Sequence, residues 1–454
     1  MATKVIIVRH GESTFNVQGR VQGHGDASTL TERGIAGAKQ VGQALIGIEF
    51  DHFYSSPLRR AYETALEISD QLEISDQLDV KAPEKTDLLK EIFLPAWETL
   101  KFEEVKEKYP EAYQHWHSSP QDLQMEYETA EGTKTVYPLR DLFVKAQAFW
   151  QFILEKHPEQ TILLVGHSGI NRALICTALG MGLEGYIRLQ QANCAINVLN
   201  FPGARGEAAQ LESFNITSHL GDPFPTPRFK EKTLRLLLVR HGETDWNRQG
   251  RFQGQIDVPL NATGQEQGQQ VAQFLQDVPF QFAITSPLLR PKATAEAILQ
   301  FHPQIELGLE PELAEISHGA WEGKLEPEVE AEYPGEIERW RTVPHQVQMP
   351  AGENLQQVWD RAIQAWDKII ETAKNNSDYS QPIVGLVVAH DAINKVILCH
   401  VAGLGPEEFW QFKQGNGAVS VIDYPLEGGT PRLQAMNITT HLGGVLDRTA
   451  AGAL

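Results

Sequence analysis

"IIVRHGESTFN" at residues 6–16 and "LLVRHGETDWN" at 237–247 are one phrase written twice, 231 residues apart. In each, an apolar run of strand type stops on Arg-His-Gly. The agreement continues outward from this phrase. "DASTLTERG" (26–34) matches "DVPLNATG" (257–264), and "YSSPLRRAYETALEI" (54–68) matches "ITSPLLRPKATAEAI" (284–298). "LLKEIFLPAWE" (88–98) matches "ELAEISHGAWE" (312–322), and "ILLVGHSGINRALI" (162–175) matches "GLVVAHDAINKVIL" (385–398). Both copies close on "FNITSHLG" (214–221) or "MNITTHLG" (436–443). The chain reads as a tandem duplication, with domains at 1–220 and 234–454 and a proline-rich linker at 221–233. Between Arg60 and Glu91 the first copy is six residues longer than the second between Arg290 and Glu315. The stretch "EISDQLEISDQLDV" accounts for this, a unit repeated at a helix end where a longer loop costs little closure entropy.

Within each copy short β-type runs alternate with helical patterns. That alternation predicts an α/β fold, two copies of a three-layer α/β/α sandwich with a mostly parallel sheet. Functional side chains in such sheets gather at the carboxyl ends of strands. His10, His167, His241 and His390 each follow an apolar run directly, so two sites of two histidines are expected.

Composition narrows the chemistry. The 454 residues carry 59 acidic against 39 basic side chains, a formal charge of −20. That balance argues against nucleic acid and anionic membrane surfaces as partners. No apolar run approaches the ~20 residues of a membrane helix, and "MATKVIIVRH" lacks the basic start and long apolar core of a secretory leader. Cys176, Cys194 and Cys399 show neither a disulfide framework nor metal spacing. A cytoplasmic protein is expected, and a homodimer is compatible with this reading.

An acidic chain binds a phosphate only where cations are concentrated. Each copy supplies such a set: Arg9, His10, Arg60, Glu91 and His167, then Arg240, His241, Arg290, Glu315 and His390. Two guanidinium forks suit a tetrahedral oxyanion. A histidine beside them is biased toward neutrality and so can act as a nucleophile. A glutamate beside both is suited to protonate a leaving oxygen and then activate water. Asn16 and Asn247 are candidate donors to a phosphate oxygen, with a turn or cap role equally open. The glycines after His10 and His241 permit close backbone approach.

The Arg-His-Gly-Glu-[Ser/Thr]-x-x-Asn phrase, the Ser-Pro-Leu-x-Arg turn, the glutamate before Ala-Trp-Glu and the late strand-end histidine resemble the histidine phosphatase superfamily, which includes the cofactor-dependent phosphoglycerate mutases. The resemblance covers nearly the whole chain. It implies a phosphohistidine on His10 and on His241, no metal and no other cofactor, and a small phosphorylated metabolite as substrate. It implies phosphate-binding roles for Arg9, Asn16, Arg60, His167, Arg240, Asn247, Arg290 and His390, and proton-donor roles for Glu91 and Glu315. The mutases of the family carry Glu-Arg-His-Tyr-Gly at the acid, whereas this chain reads "EIFLP" (91–95) and "EISHG" (315–319). Hydrolysis is therefore expected over mutation, with a phosphoglycerate mutase, or one copy as a non-catalytic phospholigand-binding module, as the alternatives. Phosphoserine or a sugar phosphate is the expected kind of substrate.

The second copy resembles an ordinary phosphatase of the family, with Pro291 in its arginine turn expected to shift Arg290 slightly. In the first, Pro95 stands where Gly319 does, Thr99 where Gly323 does, and "AEGTKTVYPL" (130–139) only loosely follows "PAGENLQQV" (350–358). A different and more apolar rim is expected there. Other chemistries fit less well. "HWH" (115–117) lacks a carboxylate cluster for a metal. "VGHSG" (165–169) misses the serine elbow by one position and has Asp391 where Ser168 stands, and no glycine-rich phosphate loop follows the first strand. "NITS" and "NITT" are read as part of an end strand.

Overall fold

The computed structural model describes residues 2–72, 82–203, 209–227, 229, 232–375 and 381–449. The second half of the six-residue repeat and part of 221–233 lie outside these residues. The chain divides into two compact units, Met1–Leu211 with Asn215–Pro223, and Glu212–Phe214 with Phe224–Leu454.

In the first copy the strands are β1 (Thr3–Arg9), β2 (His52–Ser55), β3 (Glu84–Lys85), β4 (Met125–Thr129), β5 (Gly132–Val136), β6 (Thr161–Gly166), β7 (Ile196–Phe201) and β8 (Gln210–Ile216). The main sheet runs β8-β7-β1-β6-β2-β3, with β1, β6, β2 and β3 parallel and β7 antiparallel to β1. Val5 to Val8 and Ile162 to Val165 are fully buried. Such continuous apolar runs suit strands covered on both faces. Helix Glu32–Ala44 packs on Arg59–Leu72, and Pro138–Lys156 packs on Ser168–Ala178.

The second unit repeats the plan with β9 (Thr233–Arg240), β10 (Phe282–Thr285), β11 (Leu307–Leu309), β12 (Ile383–Ala389), β13 (Val419–Pro425) and β14 (Arg432–Ile438). Its order is β11-β10-β12-β9-β13-β14, again parallel in the middle with β13 antiparallel to β9. The units differ at β4 and β5. These form a hairpin in the first copy, where the second makes a turn at Pro350–Gly352 closed by Gly352 N–H donating to the Met349 carbonyl.

β1 and β6 end one residue before His10 and His167, and β9 and β12 end one residue before His241 and His390. The parallel pairs β1–β6 and β9–β12 set each pair of histidines side by side, with ring centroids 5.1 Å and 5.2 Å apart. The glycine after each nucleophile position has a structural cause. A Cβ on Gly11 would lie 2.4 Å from the Gly34 carbonyl oxygen, and one on Gly242 2.3 Å from that of Gly264. The close approach is to the first turn of the helix that follows. No described helix is long and apolar enough to cross a membrane.

Candidate active site

In the first unit Nδ1 of His10 lies 2.7 Å from the Gly11 carbonyl oxygen. A carbonyl only accepts, so Nδ1 carries the hydrogen and Nε2 keeps its lone pair. His241 repeats this with Gly242, also at 2.7 Å, and Nε of Arg290 donates to His241 Nε2 at 3.2 Å. Burial first, then the neighbouring arginines, hold both rings well below the usual histidine range, so each imidazole is neutral at pH 7.

The arginines are anchored at one end. Arg60 donates to the carbonyls of Gly25 and Gly23 (3.1 and 2.9 Å), and Arg290 to those of Ile256 and Gly254 (3.1 and 2.8 Å). Pro291 leaves this anchoring as it is in the first copy. It sits in the first turn of helix Leu289–Leu299, where a missing N–H is tolerated. Arg9 and Arg240 donate to the carbonyls of Gln191 and Gln414. Burial pulls Arg9 and Arg290 down to about 10, still fully charged at neutral pH. Several buried polar atoms of the same cluster have no protein partner: Nε of Arg9, Arg60 and Arg240, and Nδ1 of His167 and His390. The Nε2 atoms of these two histidines pair with the hydroxyls of Ser56 and Ser286, each at 2.8 Å. Buried polar groups are almost always satisfied, so a cluster of unpaired ones carried by arginines and histidines is chemically suited to an anion.

Asn16 and Asn247 take the capping role considered for them. Their Oδ1 atoms accept from Ser13 or Thr244 at the start of a short helix, which leaves the NH2 group as the donor. Asn193 and Asn416 were not singled out from the sequence. Asn193 Nδ2 donates to the carbonyls of His10 and Gly11 and to Asn16 Oδ1 (3.0, 3.2 and 3.2 Å). Asn416 Nδ2 does the same for His241 and Asn247. The loops bearing them are held by the end strands, because Asn215 accepts from Ala192 N–H and Asn437 from Gly415 N–H. Asn215 and Asn437 are fully buried, so "NITS" and "NITT" support the nucleophile loops.

The two acids differ. Glu91 accepts from the backbone N–H groups of Ile92, Gly169 and Ile170 (2.8, 3.0 and 3.1 Å), which ties it to the N-terminus of helix Ser168–Ala178. Glu315 accepts from Ile316 at 3.0 Å and, at 3.4 Å, from Ala392. Burial, then Asp391, push the Glu315 carboxyl above the usual carboxylate range. The ring of His24 donates to the Glu91 carbonyl, as Gln255 does to that of Glu315. Glu98 and Glu322 of the Ala-Trp-Glu phrases clamp the loops that carry the arginine-anchoring carbonyls.

The rims diverge as the sequence suggested, but by more than polarity. Gly319 has φ +53°, which proline at 95 cannot adopt, whereas Thr99 keeps the left-handed backbone of Gly323 at φ +68°. The first-copy hairpin places Tyr127 edge-on to Phe93, which stacks on His24. Two cations belong to the same copy, Lys145, whose ammonium reaches the Lys90 carbonyl, and Arg172, which lies over the Tyr186 ring at 3.8 Å. His115 and His117 lie exposed on helix Pro110–Ser118, where His117 donates to the Tyr113 carbonyl.

The histidine phosphatase superfamily (branch 1) matches residues 5–216 and 236–439, and the chain belongs to it. The chain is 31% identical to a 2-carboxy-D-arabinitol-1-phosphatase of Triticum aestivum, over 97% of this chain and 87% of that protein. It is 35% identical to phosphoserine phosphatase 1 of Hydrogenobacter thermophilus, over 48% of this chain and 95% of the relative. A third relative, the uncharacterized phosphatase PhoE of Bacillus subtilis, is 34% identical over 46% of this chain and 98% of its own. The chain is a phosphoric monoester hydrolase of the histidine phosphatase type.

Proposed function

We propose that each copy, 1–220 and 234–454 joined through 221–233, hydrolyses a small phosphomonoester through a phosphohistidine. The observation that carries this reading is the same in both: a neutral histidine whose Nδ1–H is held by a carbonyl, with Nε2 beside two buried arginines. Nε2 of His10 or His241 attacks phosphorus as the bond to the leaving oxygen breaks, and the carboxyl proton of Glu91 or Glu315 passes to that oxygen. Arg9, Arg60 and His167, or Arg240, Arg290 and His390, disperse the phosphoryl charge, with the amides of Asn16 and Asn247 as further donors. Water then attacks, the glutamate takes its proton, and the electrons of the P–N bond return to Nε2. The expected substrates are phosphoserine, a sugar phosphate, or the 2-carboxy-D-arabinitol 1-phosphate of the wheat relative's name. The buried, unpaired thiols of Cys176, Cys194 and Cys399 support a reducing, cytosolic setting, and a homodimer is compatible with this reading.

The test is phosphate release from a panel of phosphomonoesters in the presence of EDTA, by wild type, His10→Ala, His241→Ala and the double variant. Acid-labile phosphohistidine is sought by mass spectrometry in each. Two distinct active sites predict that each single variant loses its own part of the panel and its own phosphopeptide, and that the double variant loses both. Loss on one substitution only would make the other copy a binding module. Interconversion of phosphoglycerates without release would make the chain a mutase.

A further inference from the structure

Two positions near the proton donor are basic in both copies, yet only the second copy neutralises them. Lys145 and Arg361 each stand five residues before a buried tryptophan of the long helix, Trp150 and Trp366. Arg172 and Lys395 each stand five residues after the second strand-end histidine. In the second copy Arg361 pairs with both oxygens of Glu353 (2.8 and 2.9 Å), and Lys395 pairs with Asp391 at 2.7 Å. Asp391 is further held by Arg240 at 3.5 Å. Burial would raise its carboxyl, but Lys395 and Arg240 outweigh that and keep it ionised.

In the first copy these carboxylates are gone. Tyr137 stands where Glu353 does, and Ser168 where Asp391 does. Lys145 Nζ reaches only the Lys90 carbonyl, at 3.5 Å, and Arg172 bonds to three neutral acceptors, the carbonyls of Ser168 and Tyr186 and the Tyr186 hydroxyl. Neither forms an ion pair among the described residues. Both flank Glu91. A Cβ on Gly169 would lie 2.2 Å from Glu91 Oε1 and 3.2 Å from the Tyr186 hydroxyl that Arg172 holds. Burial lowers the Lys145 ammonium, and the attraction of Glu91 opposes that shift. On the phosphatase reading Glu91 protonates the leaving oxygen, which puts cations beside it on the side of the substrate's organic half.

We propose that the first site selects phosphomonoesters whose organic half carries a carboxylate, read by Lys145 and Arg172, while the second site takes organic halves without that charge. The inference rests on the phosphatase reading but assigns a separate substrate class to each copy. A half-buried cation without an ion pair gains from a substrate carboxylate what a paired one has already gained internally.

The experiment uses ligand pairs matched except for the carboxylate: 3-phosphoglycerate against glycerol 3-phosphate, and 6-phosphogluconate against glucitol 6-phosphate. With His241→Ala, which leaves the first site, kcat/KM favours the carboxylated member by about tenfold or more, and with His10→Ala it does not. Lys145→Met and Arg172→Gln bring the first-site ratio toward one, and Lys145→Arg restores it. A ratio near one at the first site, with phosphate still released, overturns the inference and leaves the phosphatase reading standing. Calorimetric binding to the His10→Ala/His241→Ala protein separates the other case. Two classes of site, one preferring the carboxylate, support the inference even if no variant turns over, and equal binding of matched ligands overturns it.

Discussion

His10 and His241 owe their chemistry to one carbonyl each. The Gly11 and Gly242 oxygens choose the tautomer, and Asn193 and Asn416 hold the His10 and His241 carbonyls from the other side. Asn193→Ala should therefore cost about 1 kcal/mol of stability, the worth of an ordinary hydrogen bond, and lower first-site kcat about tenfold or more. Denaturant melts and phosphate release in a His241→Ala background measure the two effects. Glu315 yields a pH prediction. Its carboxyl is raised by burial and by Asp391, so the proton needed by the leaving group persists to higher pH and is lost as pH rises through that value. Second-site kcat should fall along this alkaline limb, and Glu315→Gln should lower the plateau while removing the limb. A pH profile in a His10→Ala background reads both. The charged kit was legible because it is written twice. His24, Gln255, Glu98 and Glu322 were not, because they act by binding backbone, a role that any polar side chain of suitable length can fill.

Helix Ser168–Ala178 fixes the first acid through the first-turn N–H groups of Gly169 and Ile170, and Gly169 is what lets Glu91 come so close. Gly169→Ala should push the carboxylate away and break its bond to Ile170, because the added Cβ would fall 2.2 Å from Oε1. The second copy already has Ala392 there, and its Glu315 keeps one longer contact of 3.4 Å. First-site activity should accordingly fall severalfold rather than vanish, with a melting temperature close to wild type. Hairpin β4–β5 is the element the sequence hid. β4 alternates, Met125 and Tyr127 against exposed Glu126 and Glu128, but over five residues only, and β5 is exposed at four of its five residues and has no apolar face to mark it. The central strands β1, β6, β9 and β12 were readable for the opposite reason, as each is built on a buried, largely apolar run. Tyr127→Ala removes the edge contact with Phe93 and should raise KM at the first site more than it lowers kcat, measured with second-site turnover abolished by His241→Ala.

At the scale of the whole chain the same histidines set an acid limit on stability. His10, His167, His241 and His390 are all held well below the ordinary value, chiefly by burial. Their unfolded forms take up protons below about pH 6.5 while the folded forms do not. The stabilisation is thus fully present above that pH and is lost as pH falls through it. Each such group adds ~1.4 kcal/mol per pH unit below that pH, and His219, His318 and His441, lowered chiefly by burial as well, add to these four. Urea midpoints between pH 7 and 5 should fall accordingly, and less steeply for His167→Asn/His390→Asn.

The sequence by itself determined that there are two copies, that each is an α/β layer structure, and that arginine and histidine meet at strand ends. These are properties of local period and of where an apolar run stops, and duplication doubles the signal. The tertiary structure alone decided which nitrogen of each histidine is free, how each acid is held, and which cations lack a carboxylate. Those depend on partners such as Asn193 and His10, which lie 183 positions apart in the chain. No local pattern encodes such a distance, because packing between remote segments sets hydrogen-bond and ion-pair geometry to within tenths of an ångström.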